Sequence, residues 1–574
     1  MNGDPKREWK LLVIALVVIL GGSLLANAIN TVGGSVDVKD VRWVGSYGTY
    51  FSALLYIPKG VSVENPAPAV LVIGGGDTNR EAMQNWSLEL ARRGYVVLDF
   101  DKFGEGYSEG HGRKWPRDLG SGGPEALRYL HSLDIIDHDN VAMAGHSMGS
   151  SGIVRAALTY PDDYEAMVIM GGSLDPALKN AALVCGIDDG CILREQRNKS
   201  TAEIFGTENA ESIEVGKVYG SFEDGTAKAM YLIRYPHAMT IITAEPVRIL
   251  LNWVQEAIPA PNPIAPSNQI WLWKYFGALI AMVGFVFLFF PLGAILLRTP
   301  FFKTIIKPLP EFKGFTGKSW WLGAVLTVVV PVASLFYMAT VSSKILPASN
   351  IFPMGRISSI MGWTVFGAVV SIILMLINHY ALKGDRDATA YNYGLTDENG
   401  KIEWCNIGKS FLLAFSLFGI GYAVLVLIYR WLLVDFRVFE VSFRLLTPTR
   451  FRIMFPYLIF WIFSYIVLGA NLHGLMRPKD GKASFWRELI INIILLAPFY
   501  YLWWPLHYAP LYAGNPELFA GGYMKYWLWA FPPTLTIVAS ISTYYYRKTG
   551  RVYVGAFLSS LLVVWTMIAG NMID

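Results

Sequence analysis

Charged residues are scarce in this sequence. Asp, Glu, Lys and Arg make up 16% of its 574 residues, and 53% of the residues are hydrophobic; a soluble globular domain has roughly 25% charged residues. The net charge of +4 arises from 48 basic and 44 acidic residues without a dense basic cluster, so nucleic acid is not an expected partner. Because the apolar excess falls mostly after residue 268, the composition excludes a fully soluble protein and predicts a membrane protein with one soluble block.

Cysteines and energy-coupling motifs are also rare. The three cysteines, Cys185, Cys191 and Cys405, are too few for a disulfide scaffold and form no four-ligand zinc pattern, so we expect no structural metal. The sequence has no GxxxxGKS or GxxxxGKT motif, and its long apolar runs hold few ionisable groups. An ATP-binding motif or ionisable groups inside the membrane usually mark a pump or transporter. Because the motif is missing and such groups are few, the sequence does not favour energy-coupled transport.

Long apolar runs predict about nine transmembrane helices. The first, at 11 to 29, follows Lys6, Arg7 and Lys10 and is long enough for an uncleaved anchor; a cleaved signal peptide is the alternative, with Ala26 and Ala28 at the cleavage spacing. The other eight lie near 270–297, 319–342, 357–381, 409–429, 453–472, 487–508, 524–545 and 552–570. The Lys and Arg bias of the loops predicts a cytoplasmic N-terminus, with the soluble block and the C-terminus outside.

One loop contradicts this bias, because it is rich in arginine but should be external. Arg430, Arg437 and Arg444 recur every seven residues, which predicts an amphipathic interfacial helix that could contact anionic lipid head groups. The alternative is an ordinary surface helix whose arginines pair with neighbours such as Glu440.

The block from about 36 to 258 alternates β-rich runs with amphipathic stretches, which predicts a mostly parallel sheet with helices on both faces. Within it, VAMAGHSMGSSGIVRAAL runs from a short apolar strand through Gly145, Ser147 and Gly149 into a helical pattern. This GxSxG context is typical of a nucleophile elbow, in which glycines allow the sharp turn that exposes the serine hydroxyl.

These motifs resemble the α/β-hydrolase superfamily, particularly its GHSMG-type lipases, esterases and acyl transferases. The resemblance covers residues 45 to 258 and implies an α/β-hydrolase fold joined to an all-α transmembrane bundle. LVIGGGDTNREAM matches the loop after strand three, so the implied oxyanion donors are the backbone N–H groups of Met148 and of Gly75 or Gly76. FDKFGEGYSEG resembles the family's structural DxxGxGxS turn. No cofactor is implied.

A serine nucleophile needs a histidine base and a carboxylate that orients this base. The family's chain order is Ser, acid, His. The loop after NAALVCG resembles the family's acid loop and implies Asp189 as the acid, with Asp188 as a close rival and Asp175 as a less favoured alternative. His237 follows both acids and precedes a terminal helical pattern, so it is the expected base, whereas His146 flanks the nucleophile and should support the elbow.

Cys185 and Cys191 bracket this acid loop. In an exported block they could form a disulfide that stiffens the loop, which requires Cα atoms within about 7 Å. Two separate buried thiols are the alternative.

The sequence therefore predicts an N-terminal transmembrane anchor at 1–30, an extracytoplasmic α/β-hydrolase domain at 31–258, a Pro-rich linker at 259–268 and a membrane domain of eight helices at 269–574. We expect a multi-pass protein of the plasma membrane that acts as a serine hydrolase on an ester or thioester, with a lipid or lipid-linked acyl group as the leading substrate and membrane lipids as contacts. The alternatives are an anchored peptidase or soluble-ester esterase, and a non-catalytic domain that regulates a transporter.

Overall fold

The computed structural model describes residues 5–46, 48–112, 117–192, 195, 199–382, 387–479, 484–515 and 528–574. The chain divides into two compact units. The globular unit comprises Leu24–Gly277, Leu506–Phe519 and Gly570–Asp574, and the helical unit comprises Met1–Ser23, Ala278–Pro505 and Ala520–Ala569.

The described part of the globular unit is built on a nine-stranded sheet. Its strands are β1 (Val36–Val44), β2 (Tyr50–Pro58), β3 (Ala67–Ile73), β4 (Val96–Asp101), β5 (Ile136–His146), β6 (Ala166–Met170), β7 (Ala181–Gly186), β8 (Val218–Tyr219) and β9 (Lys228–Ile233). Their order is β1-β2-β4-β3-β5-β6-β7-β9-β8. In this spatial order, the six adjacent strands β4, β3, β5, β6, β7 and β9 are parallel to one another. At the two edges, β1 and β2 on one side and β8 on the other pair antiparallel with their neighbours. The predicted mostly parallel sheet is confirmed.

Helices follow the central strands in the chain. They are α2 (Arg80–Arg92), α3 (Gly123–His131), α4 (Met148–Thr159), α5 (Lys199–Phe205) and α6 (Ala244–Ala257), with short 3-10 turns at Val32–Gly34, Arg117–Gly122, Ala210–Ser212 and His237–Met239. Strand β3 reads as a continuous apolar run, and its residues Val70 to Ile73 are fully buried, as expected of a central parallel strand covered on both faces.

The order of the strands reverses direction at β3 and β5, since β4 lies beyond β3 and β6 lies beyond β5. Ligand sites of open parallel sheets lie outside the carboxyl ends of the strands at such a switch point. The loops that follow β3, β5, β7 and β9 carry the favoured catalytic candidates: Gly75 and Gly76, Ser147 and Met148, Asp188 and Asp189, and His237. The less favoured acid, Asp175, follows β6.

The remaining helices are mostly long and apolar, apart from one that has four residues. They are α1 (Pro5–Asn30), α7 (Trp271–Leu296), α8 (Pro300–Lys303), α9 (Gly317–Ile345), α10 (Gly355–Leu376), α11 (Trp404–Leu432), α12 (Pro448–Ala470), α13 (Phe485–Leu496), α14 (Pro498–Tyr512), α15 (Phe531–Thr549) and α16 (Tyr553–Gly570). Helices α10 and α12 continue into π-helical segments at Ile377–Leu382 and Asn471–Leu475.

Of the described helices, seven are long and apolar enough to cross a membrane: α1, α7, α9, α10, α11, α12 and α16. An eighth span results if α13 and α14, which are bent by 41° at their junction, count as one. This agrees roughly with the nine spans predicted. The ninth corresponds to α15, and the start of that predicted span, up to residue 527, lies outside the described residues.

The predicted amphipathic helix through Arg430, Arg437 and Arg444 is wrong. Helix α11 ends at Leu432, where Leu433 adopts a left-handed conformation with φ of 51°, and the chain then forms a hairpin from β10 (Phe436–Val438) and β11 (Val441–Phe443). The seven-residue spacing therefore does not place the three arginines on one helical face. Arg437 and Arg444 are buried, and Arg437 forms an ion pair with Asp435; the exposed one of the three is Arg430. Contact between these arginines and head groups stays a prediction.

Candidate active site

Ser147 lies at the sharp turn between β5 and α4. Its backbone has φ of 53° and ψ of −113°, a sparsely populated conformation that persists where the surroundings determine it. The Ser147 N–H donates to the carbonyl of Met170 over 2.7 Å. The first turn of α4 lies so close to the end of β3 that position 149 requires glycine: a Cβ on Gly149 would lie 2.2 Å from the Ile73 carbonyl oxygen. The strand–turn–helix geometry is that of a nucleophile elbow.

The acid and base candidates contact each other directly. His237 lies in the turn after β9, and its ring Nδ1 is hydrogen bonded to Asp189 Oδ1. The other carboxylate oxygen of Asp189 accepts the Gly186 N–H over 2.6 Å. Both side chains are largely buried, with 13% of His237 and 7% of Asp189 exposed. This arrangement orients the His237 ring.

The competing carboxylates make different contacts. Asp188, the close rival, accepts the backbone N–H of His237 at Oδ1 over 2.6 Å and so supports the loop. Asp175, the less favoured alternative, accepts the backbone N–H of Ala177 within its own turn. Among the described contacts, the His237 ring is therefore paired with Asp189.

The environment keeps Asp189 ionised. Burial by itself raises the pKa of this carboxyl, but the hydrogen bond and the charge of His237, together with the Gly186 N–H, outweigh burial, so that the pKa of Asp189 is lowered. An ionised acid is the form that stabilises a positively charged histidine during proton transfer.

His146 supports the base from the other side. Its Nε2–H donates to the His237 carbonyl over 3.2 Å, and the centres of the two rings are 4.6 Å apart. Thr240 Oγ1–H donates to the same carbonyl over 2.8 Å. Burial, followed by the nearby His237, lowers the pKa of His146 to about 3, so His146 is a neutral donor at neutral pH.

The loop after β3 lies against the elbow. A Cβ on Gly75 would come within 2.6 Å of His146 Nδ1 and 3.1 Å of Ser147 Cβ, so the backbone of Gly75 borders the nucleophile. Met148 is the first residue of α4, where N–H groups and the helix dipole favour negative charge. Buried Lys102 donates from Nζ to the carbonyls of Gly75 (2.8 Å) and Thr78 (3.2 Å). Gly75 and Met148, two of the expected oxyanion donors, therefore border Ser147.

A disulfide closes the acid loop. Cys185 and Cys191 are bonded, with Cα atoms 6.1 Å apart, so the structure contains the disulfide rather than two separate thiols. The six-residue separation encloses both Asp188 and Asp189. Cys405 is free and exposed.

His111, His131 and His138 do not join this cluster through any described contact. His131 and His138 contact each other through their Nδ1 atoms at 3.3 Å, and His111 donates from Nδ1 to the Asp574 carbonyl over 2.9 Å. No group of three or more His, Cys, Asp or Glu side chains suitable for a metal ion occurs within the described ranges.

Lys102 was not identified from the sequence as part of the site. Lys102 lies three residues before Glu105 in the DKFGEG turn, and the two form a buried ion pair. This spacing of opposite charges was the one signal in the sequence that could have identified it. The contact of His146 with the His237 carbonyl had no signal in the sequence, since the two residues are 91 residues apart.

Comparisons with known proteins agree with this fold. A family model described as serine aminopeptidase, S33, matches residues 64–187. Two esterases FrsA from strains of Klebsiella pneumoniae are 30% and 26% identical over 138 residues, which are 24% of this chain and 32% of theirs. The matched region thus spans about a third of the length of these relatives.

Solved structures of hydrolases are also similar to this chain. A dienelactone hydrolase from Anabaena variabilis is 19% identical, with a TM-score of 0.28, and the match covers 39% of this chain and 99% of that one. A thermostable esterase is 15% identical, with a TM-score of 0.28, over 38% of this chain and 63% of that one. With the family match and the strand order described above, the globular unit of this chain has the α/β-hydrolase fold.

Proposed function

We propose that this protein is a serine hydrolase, embedded in a membrane through its apolar helices, that cleaves an ester or thioester through an acyl-enzyme on Ser147. The observation that carries the proposal is the hydrogen bond between Asp189 and the His237 ring, formed next to the Ser147 elbow. A strained serine, an oriented histidine and an ionised carboxylate in this chain order together make an activated nucleophile.

In the proposed mechanism, His237 Nε2 removes the proton of Ser147 as the serine oxygen attacks the carbonyl carbon of the substrate. The resulting oxyanion accepts N–H groups from Met148 and from Gly75 or Gly76. His237 then gives its proton to the leaving alcohol or thiol as the carbon–oxygen or carbon–sulfur bond breaks. A water molecule, or another alcohol or amine, attacks the acyl-enzyme with His237 as base, which releases the acyl group and restores Ser147.

The leading substrate class is a lipid or a lipid-linked acyl group at the outer face of a plasma membrane. What supports it is the number of helices apolar enough to span a membrane, which is more than an anchor requires and keeps the enzyme at a lipid surface. The predicted export of the hydrolase domain supports the outer face.

A peptidase is the second candidate. The family model that matches residues 64–187 is described as a serine aminopeptidase, and the same serine, histidine and carboxylate can attack an amide. In that case His237 would protonate the leaving amine.

Two esters that share one acyl chain, together with a peptidase substrate, test these candidates. The purified full chain in phospholipid nanodiscs is assayed with a diacyl lipid ester, with a soluble nitrophenyl ester of the same acyl chain and with aminoacyl nitroanilides, with Ser147→Ala as the control. We expect the lipid ester to have the highest kcat/KM and Ser147→Ala to abolish its turnover. Preferred cleavage of nitroanilides would indicate the peptidase. Turnover that survives in Ser147→Ala would contradict the proposal, and so would intact wild-type protein that cleaves none of the substrates.

A further inference from the structure

A short segment from the far end of the sequence is built into the hydrolase domain. Residues 570–574 belong to the globular unit, and Met572, Ile573 and Asp574 are 3%, 7% and 5% exposed. We call Met572–Asp574 the docking segment. It follows α16 in the chain, yet its described backbone hydrogen bonds are with residues 77 to 112.

The docking segment forms backbone hydrogen bonds with Gly104 in the DxxGxGxS turn and with Gly112 beyond it. The Ile573 N–H donates to the Gly104 carbonyl over 2.9 Å, and the Ile573 carbonyl accepts the Gly112 N–H over 2.8 Å. His111 adds a third bond to the carbonyl of Asp574. Backbone pairing of this kind supplies affinity, while side-chain pockets supply register.

The segment also reaches the loop after β3. The Met572 N–H donates to Asp77 Oδ1 over 2.8 Å. Asp77 has a positive φ of 60°, a conformation that costs energy in a non-glycine residue and persists where neighbours determine it. Its own N–H donates to Glu105 Oε1 over 2.8 Å, so Asp77 is fixed at both its backbone and its side chain.

These contacts continue to the proposed oxyanion hole. Glu105 forms the buried ion pair with Lys102, and Lys102 Nζ donates to the Gly75 carbonyl. Asp77 is also two residues from Gly75 in the same loop. The docking segment, the DxxGxGxS turn and the loop of Gly75 therefore form one connected buried network, in which each member restrains the next.

We propose that the docking segment is a positioning element of the active site, which holds Asp77 and thereby sets the oxyanion loop at residues 74–78. The expected effect on kcat rests on the proposed serine hydrolase function. The expected effect on the order of the loop does not. Oxyanion donors act through their fixed placement, so release of the segment should lower kcat and leave the affinity for substrate nearly unchanged.

Gly112 provides a sharp way to release the segment. A Cβ at this position would lie 1.9 Å from Met572 Sδ and 2.5 Å from Met572 Cγ, so Gly112→Ala should displace Met572. The double variant Gly112→Ala with Met572→Ala removes both colliding atoms and should restore docking, and Met572→Ala alone completes the cycle. Gly570→Ala is the matched control, because a Cβ there would meet nothing within 4 Å.

The test measures hydrogen exchange of residues 74–79 together with kcat and KM on a nitrophenyl ester, for the full chain in detergent. For Gly112→Ala we expect at least about tenfold faster exchange in this loop. We also expect a loss of kcat of up to about 100-fold, the cost of a misplacement of about 1 Å. KM should stay within about twofold, and the double variant should recover both properties.

Wild-type exchange and kcat in Gly112→Ala would overturn the proposal. So would a double variant that recovers neither. If Gly112→Ala does not fold, Asp77→Gly replaces it, because this change removes the acceptor of the Met572 N–H and tolerates the positive φ; faster exchange of Met572–Asp574 is then expected, and unchanged exchange overturns the proposal. Wild-type protein without esterase activity would refute the proposed function, while the exchange measurement would still decide the role of the segment.

Discussion

His146 donates its Nε2–H to the backbone carbonyl of His237. The residue next to the proposed nucleophile therefore holds the main chain of the proposed base. The bond joins the end of β5 to the turn after β9. It explains why a histidine suits the position before Ser147: a buried neutral imidazole donates one hydrogen bond there and carries no charge that would oppose protonation of His237.

The two adjacent aspartates should differ strongly when substituted. Asp189→Asn keeps the shape of the side chain but removes the charge and disturbs the His237 tautomer, so kcat should fall by about 10⁴. Asp188→Asn keeps an oxygen that can accept the His237 N–H, so its loss should stay within about tenfold, the value of one hydrogen bond. Steady-state kinetics of both variants check this, and equal losses would contradict the assignment of Asp189 as the acid.

Acid should destabilise the domain partly through His146. Its pKa is lowered from 6.5 to about 3 in the folded state, so between these values only the unfolded state binds the proton. The stability is fully present above the unfolded pKa near 6.5 and is lost as pH falls, with a slope of about 1.4 kcal/mol per pH unit from this residue. His146→Asn keeps a donor for the His237 carbonyl and does not titrate.

Melting temperatures of the full chain in detergent between pH 7 and pH 4 test this expectation. The variant should lose less stability over this range than the wild type. Parallel curves for the two proteins would show that His146 does not carry the effect.

Reduction of the Cys185–Cys191 disulfide should loosen the acid loop. The small closed loop contributes about 2 kcal/mol to the free energy of unfolding by the chain-entropy model, and its release should slow acylation because Asp189 then orients His237 less firmly. The rate of ester hydrolysis is measured with and without a phosphine reductant. Cys405→Ser should keep the sensitivity, whereas Cys185→Ala with Cys191→Ala should abolish it; a wild type that is insensitive after complete reduction would refute this role.

Local motifs made much of this site predictable. GHSMG specifies a strand, a sharp turn and a helix within a few residues, and the structure forms these elements around Ser147. The order of the motifs along the chain was enough to nominate Asp189 and His237, which lie 48 residues apart and form a hydrogen bond.

Contacts made over long sequence separations could not be predicted. Met572 and Asp77 are 495 residues apart, and neither residue type suggests the other. The arginine spacing in residues 430–444 misled for a different reason. A seven-residue recurrence suits a helix, but the left-handed Leu433 and the apolar alternation around Phe436 and Val441 give a hairpin instead.

The most direct test of the central claim is labelling of the purified full chain by a fluorophosphonate probe, with the modified residue located by peptide mass spectrometry. We predict that the probe modifies Ser147 in the wild type, that Ser147→Ala is not labelled and that His237→Ala is labelled at least about 10³-fold more slowly. A well-folded wild type that the probe does not modify, or modification that persists at the same rate in His237→Ala, would contradict an activated serine at this site.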